Sequence, residues 1–167
     1  FFKVKFLASG SHFIKDQGLS INEISESKIK IDKKIEIKIN THNYLKLADF
    51  STKLSLSYAR YLQEIKPDLV IVLGDRFEIL TVTFFTYLMR IPIAHIHGGE
   101  ITEGSMDDSI RHSITKLANI HFVTNKDHRK RVIQLGEHPK NVFNVGSLGQ
   151  EKLSNLHPLK RNELEKK

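Results

Sequence analysis

Residues 69–73, Leu-Val-Ile-Val-Leu, are apolar at every position, and the run stops at Gly74 before Asp75, Arg76, Phe77 and Glu78. A strand with one face in water alternates polar and apolar side chains. One that is apolar throughout must be covered on both faces, the condition of an interior strand in a parallel sheet flanked by helices. The design recurs at residues 91–96, which run into His97, Gly98, Gly99 and Glu100. Each strand pattern ends at glycine and delivers charged groups where a helical pattern begins, which is how an open α/β sheet builds a site.

The remaining periodicity fits that architecture. Strands are expected at residues 2–8, 35–39, 69–73, 91–96, 120–124 and 142–145, with a short helical or irregular connection over 18–27. Helices are expected at 45–65, 77–89, 106–117 and 127–135. The first carries Leu47, Phe50, Leu54, Tyr58, Tyr61, Leu62 and Ile65 near a 3.6-residue spacing and is stopped by Pro67. Strands alternating with helices throughout predict an α/β fold with a doubly wound, Rossmann-like parallel sheet.

Composition narrows the function classes. At 167 residues and 40% apolar content the chain can bury one core and hardly two. It has no cysteine, so a disulfide framework, a thiolate metal site and a cysteine nucleophile are excluded, and a reducing, cytoplasmic setting is expected. No apolar run is long enough to span a bilayer, and the opening FFKVKFLASG is too short and too charged for a signal segment. The net charge is +7, and the lysines cluster at 28–38 and 160–167 with acidic residues interleaved. No stacking platform or nucleic-acid motif accompanies them, so no nucleic-acid partner is expected. The glycines form neither a dinucleotide fingerprint nor a P-loop, and no cofactor is expected.

The carboxyl ends of the predicted strands collect His12, Asp75, Arg76, Glu78, His95, His97, Glu100, Thr124, Asn125 and Gly146. Bland readings stand beside the functional one. Asp75 with Glu78, and Ser105 with Asp108, have capping-box spacing. Asp107 with Arg111, and Asp108 with His112, stand four residues apart and could be surface pairs. His95-x-His97 is a spacing that metals use, so a divalent-metal hydrolase competes. The functional reading rests on the set, because a capped helix needs no histidine pair and Gly98-Gly99-Glu100 in the loop before it.

LGDRFE, HIHGGEITEG, DDSIRHSITKLANIHFVTN and NVFNVGSLGQEKL, in this order, closely resemble the hydrolysing UDP-N-acetylglucosamine 2-epimerases of sialic and legionaminic acid biosynthesis. The likeness runs from Gly10 to about Leu153. It implies a two-domain fold of the glycosyltransferase-B type, binding a nucleotide sugar between two Rossmann-like halves. Residues 1–153 would be the N-terminal half without its first strand, and 154–167 a basic tail or the start of a linker. The partners implied are the nucleotide sugar, the missing C-terminal domain and, in full-length form, further copies in a homo-oligomer. A non-catalytic half-domain is the alternative. The chemistry implied is removal of the sugar C2 proton with anti departure of the nucleoside diphosphate, then hydration of the resulting 2-acetamidoglucal. Asp75 and Asp107 match the family's catalytic aspartates. Arg76, Arg111 and His112 match positions along the substrate pocket, with His12, Asp108 and Gly146 completing the binding set. Many relatives carry a glutamate where this sequence has His97, so either His97 or Glu100 is expected to take that proton transfer, and no metal is required.

Overall fold

The computed structural model describes residues 2–13, 20–27, 29–37 and 43–149. The tail at 154–167, and parts of the connection at 18–27 and of the strand expected at 35–39, lie outside them. Six strands, β1 (Leu7–Ser9), β2 (Lys33–Ile35), β3 (Val70–Leu73), β4 (Ile93–Ile96), β5 (Ile120–Val123) and β6 (Val142–Asn144), alternate with helices α1 (Ile21–Glu26), α2 (Tyr44–Ile65), α3 (Phe77–Leu88), α4 (Met106–Leu117) and α5 (Lys126–Gln134). Every pairing is parallel. The described strands form two sheets, β1-β2 and β3-β4-β5-β6.

Helix α2 holds the two sheets in one core. Asn43 caps its start by accepting the Lys46 N–H, and its end turns left-handed at Lys66 before Pro67. Its apolar stripe buries Phe50, Leu54, Tyr58 and Leu62 with Ile35 of β2 and Val82 of α3, and Leu7 of β1 and Val70 of β3 pack on the same cluster. The Tyr58 hydroxyl lies 3.0 Å from Thr86 Oγ1, tying α2 to α3.

Two expectations need correction. The first strand does not start at residue 2, because the Asp32 carboxylate takes the Phe6 N–H and the Lys5 ammonium. The ladder therefore begins at Leu7 opposite Lys33, and the second strand lies at Lys33–Ile35, earlier than its alternation suggested. Strand β3 is also not covered on both faces among the described residues. Val72 packs in the cluster with Ile93, Ile110 and Ile114, but Ile71 and Leu73 on the opposite face are 61% and 52% exposed.

The core contains two fully buried histidines. His95 on β4 places Nε2 2.9 Å from the Gly74 carbonyl and Nδ1 3.1 Å from the Thr115 hydroxyl. A carbonyl only accepts, so Nε2 carries the proton, and the bare Nδ1 shares the single Thr115 hydroxyl proton with the Arg111 carbonyl, 3.0 Å from Thr115 Oγ1. Burial pushes the His95 pKa down to about 4, against the hydrogen bond to Gly74, with His121 and Arg111 adding to the drop. His121 is also lowered, chiefly by burial, with Glu137 opposing at 3.2 Å.

A histidine whose folded pKa lies below its unfolded value binds fewer protons when folded, so stability rises with pH between the two values. The contribution of His95 is therefore complete above an unfolded pKa of about 6.5 and is lost progressively as pH falls toward about 4. The whole effect is on the order of 3 kcal/mol. Urea midpoints measured from pH 7 to 4 should fall across that window. His95→Gln keeps an N–H donor without titrating and should flatten the slope; an unchanged slope would remove His95 as its source.

Candidate active site

The groups expected to carry chemistry gather where β3 and β4 end. Arg111, on the second turn of α4, is only 3% exposed. Its Nη1 donates to the Glu100 carbonyl at 2.9 Å, and its Nη2 donates to Thr102 Oγ1 at 2.9 Å and to the Asp75 carboxylate. The Asp108 carboxylate stands 3.6 Å from Nη1. One guanidinium thus joins the turn after β3, the loop after β4 and helix α4. Arg111 is turned inward with its donors engaged, so its placement is that of a scaffold for the pocket edge.

The capping readings come out unevenly. Asp75 does not cap α3: the N-cap is Arg76, without a side-chain cap bond, and the Asp75 carboxylate goes to Arg111. Glu78 is buried, accepts from Arg76 Nε at 3.0 Å, and sits where a Cβ on Gly10 would collide with it. Its Oε2 has no hydrogen-bond partner among the described residues. Ser105 does cap α4, accepting the Asp107 N–H at 3.2 Å. Asp108 reaches instead to the Thr102 N–H at 2.9 Å and stands 3.5 Å from His112 Nε2. Asp107 does not pair with Arg111; half-buried at the helix start, its carboxylate has no hydrogen bond or ion pair among the described residues. The Asp107 carboxylate thus stands without a partner among the described residues in the first turn of α4, at the positive end of the helix.

The loop after β4 is held in an unusual backbone. His97 donates its N–H to the Phe122 carbonyl and then turns left-handed, φ 68°. For a residue with a Cβ that costs roughly 1 kcal/mol or more and is a common feature of functional sites. His97 Nδ1 stands 3.1 Å from Glu100 Oε1, and its Nε2 is buried without a partner among the described residues. His97 and Glu100, expected as alternatives, are one pair.

The two histidines of the His95-x-His97 pair do not meet in a ligand set among the described residues. Both His95 nitrogens are occupied by Gly74 and Thr115, and among the described residues no three histidines or carboxylates converge as a ligand set. The outer members of the predicted set are less tightly joined to this edge. His12, in a short 3-10 turn after β1, bonds Ser20 Oγ at 2.9 Å, and Gly146 follows β6 with φ 81° and open space around it. Sequence reasoning collected Thr124 and Asn125 but missed His128, whose Nδ1 lies 2.6 Å from Thr124 Oγ1. The signal was present: Asn125-x-x-His128 is a helix cap, and Thr124 and His128 stand four apart.

Known proteins place this edge in context. A family model described as UDP-N-acetylglucosamine 2-epimerase matches residues 1–167. The GDP/UDP-N,N'-diacetylbacillosamine 2-epimerase (hydrolyzing) of Campylobacter jejuni subsp. jejuni serotype O:2 is 40% identical over 163 residues, covering 98% of this chain and 42% of the relative. The polysialic acid biosynthesis protein P7 of Escherichia coli is 40% identical over 159 residues, 95% of this chain and 41% of the relative. The chain thus spans about two fifths of these relatives' length. A UDP-N-acetylglucosamine 2-epimerase structure from Listeria monocytogenes, described as putative, superposes with a TM-score of 0.79 at 18% identity, over 99% of this chain and 43% of that one. The enzyme of Neisseria meningitidis bound to UDP-GlcNAc gives 0.73 at 21% identity, over 90% of this chain and 42% of that one. The sheet with its loop-borne acids and histidines thus has the fold of these enzymes, and the chain belongs to the UDP-N-acetylglucosamine 2-epimerase family.

Proposed function

We propose that the full-length protein carrying this chain is a hydrolysing nucleotide-sugar 2-epimerase. It would take a UDP- or GDP-linked 2-acetamido sugar and release the free 2-epimer and nucleoside diphosphate, in a cytoplasmic route to sialic- or legionaminic-type acids. The observation that carries this is the clustering of proton-handling groups at one sheet edge: Asp75 fixed by Arg111, Asp107 unengaged at the start of α4, and His97 paired with Glu100. The names of the similar proteins from Campylobacter jejuni and Legionella pneumophila support the hydrolysing branch.

The chemistry follows from what those groups can do. Elimination needs a base to take the C2 proton and an acid at the departing diphosphate oxygen; hydration of the double bond then needs protons moved in the reverse sense. Asp75 and Asp107 serve as the carboxylate acid–base groups, and His97 backed by Glu100 as a third proton carrier. Arg76, His112, Asp108, His12 and Gly146 line the route to the sugar and phosphate. This chain contributes one wall of the cleft, and the remainder of the full-length protein contributes the other.

Two outcomes are expected of the full-length protein. Asp75→Asn and Asp107→Asn keep shape but lose a proton acceptor, and each should lower turnover at least ~100-fold, the usual scale for acid–base groups. Near-wild-type sugar release would return either residue to a structural role. In D2O the product should carry deuterium at C2, read by proton NMR, and turnover should survive a chelator. An unlabelled product, or activity that dies with EDTA and returns with zinc or manganese, would overturn the elimination mechanism.

A further inference from the structure

The hydrogen bonds behind Glu100 run in one direction only, and that direction can be read atom by atom. Asn125 caps α5 with its side-chain carbonyl oxygen, which accepts the His128 N–H at 2.9 Å. Its amide nitrogen is therefore the atom 3.3 Å from His128 Nε2. An amide nitrogen only donates, so Nε2 must be bare and the His128 proton sits on Nδ1. From there it goes to Thr124 Oγ1, 2.6 Å away. The Thr124 hydroxyl, having accepted, donates onward to Glu100 Oε1 at 3.3 Å. The same oxygen stands 3.1 Å from His97 Nδ1, so a proton on Nδ1 is the one that Glu100 would hold, while Nε2 has no partner among the described residues.

The neighbourhood keeps this chain of bonds in place. Gly99, between His97 and Glu100, has φ 79°, and a Cβ there would collide with the His128 carbonyl and crowd Val132. Arg131 donates to the Gly99 carbonyl. The first turns of α5 are thus packed directly against the loop that bears the pair. Burial, reinforced by Arg131 and opposed by Glu100, lowers the His128 pKa, which favours the one-proton ring that the chain requires.

We infer that Thr124 and His128 are positioning residues for the proposed reaction: their one-way hydrogen-bond chain, starting at the Asn125 cap and ending on Glu100 Oε1, sets the tautomer of His97 and leaves its Nε2 as a proton acceptor toward the sugar. The inference rests on the reading of His97 with Glu100 as a proton-transfer pair. It assigns to Thr124 and His128 the work of orienting another residue, and it gives a reason for the bracing of the helix after β5 against the loop after β4.

The test uses the full-length protein with selectively 15N-labelled histidine. His128 should show the Nδ1–H tautomer, the less common form of a neutral imidazole. Thr124→Val keeps the shape of the side chain and removes its hydroxyl; His97 should then lose its fixed Nδ1–H signature, and kcat should fall about tenfold, less than loss of an acid–base group itself, with KM little changed. Thr124→Ser restores the hydroxyl and should recover both. An Nε2–H tautomer at His128 overturns the inference whatever the activity. So does a Thr124→Val protein with wild-type kcat, or a Thr124→Ser protein as impaired as the valine variant. A full-length protein that releases no sugar from any nucleotide sugar, yet shows both tautomers and their loss in Thr124→Val, would instead overturn the proposed reaction and the catalytic use of the chain, leaving the bonding assignment standing.

Discussion

The buried guanidinium of Arg111 is the constraint from which the rest of the edge follows. Burying a cation is expensive unless its donors are satisfied and its charge is balanced. Here the Glu100 carbonyl, Thr102 Oγ1 and the Asp75 carboxylate do both. Because the partners come from two segments, the turn after β3 and the loop after β4, and the arginine from a third, satisfying one side chain fixes the relative positions of the β3 turn, the β4 loop and α4. His95 repeats the tie one layer further in, from the Gly74 carbonyl to Thr115, and the Thr115 hydroxyl also bonds the Arg111 carbonyl at 3.0 Å. Asp75 is thus held from both sides of its own peptide, through its carboxylate and through the carbonyl of the residue before it.

Much of this architecture was legible in the chain. Gly74 and Pro67 punctuate strand and helix, and the stripe of α2 follows its expected spacing because Phe50, Leu54, Tyr58 and Leu62 have a single apolar surface to cover. Strand limits were less legible. Phe2, Val4 and Phe6 alternate like a strand, but pairing needs a partner, and Asp32 diverts the Phe6 amide before the ladder begins. Periodicity records which residues prefer burial and is silent about which backbone groups find each other.

The candidate site was legible as residues brought to one sheet edge, and of its pairings Asp108 with His112 was legible while others were not. Asp75-x-x-Glu78 reads as a cap because spacing carries no information about a guanidinium 36 positions away. Asp107 and Arg111 read as a helical pair for the same reason, and the arginine turns elsewhere. His95 and His97 look equivalent on paper, yet one is locked into the core through both nitrogens while the other leaves the strand with a positive φ and keeps Nε2 unpartnered among the described residues. On the proposed reading, the left-handed backbone at His97 separates the histidine that serves the core from the one that serves the reaction two positions later.

On the proposed reading, the distribution of charge bears on how the proton chemistry and the binding of the diphosphate would be divided across a cleft of which this chain forms one wall. A nucleoside diphosphate needs cations with donors to spare. On this edge Arg111 is occupied by Asp75 and backbone oxygen, Arg131 by the Gly99 carbonyl, and Arg76 by Glu78. The groups without a partner among the described residues include the Asp107 carboxylate and the buried nitrogens His97 Nε2 and His112 Nδ1. On the proposed reading the two tasks are therefore divided across the cleft, with cations for the diphosphate supplied chiefly by the part of the full-length protein that the relatives extend into, and the acid–base groups held here on a scaffold tied together by one arginine.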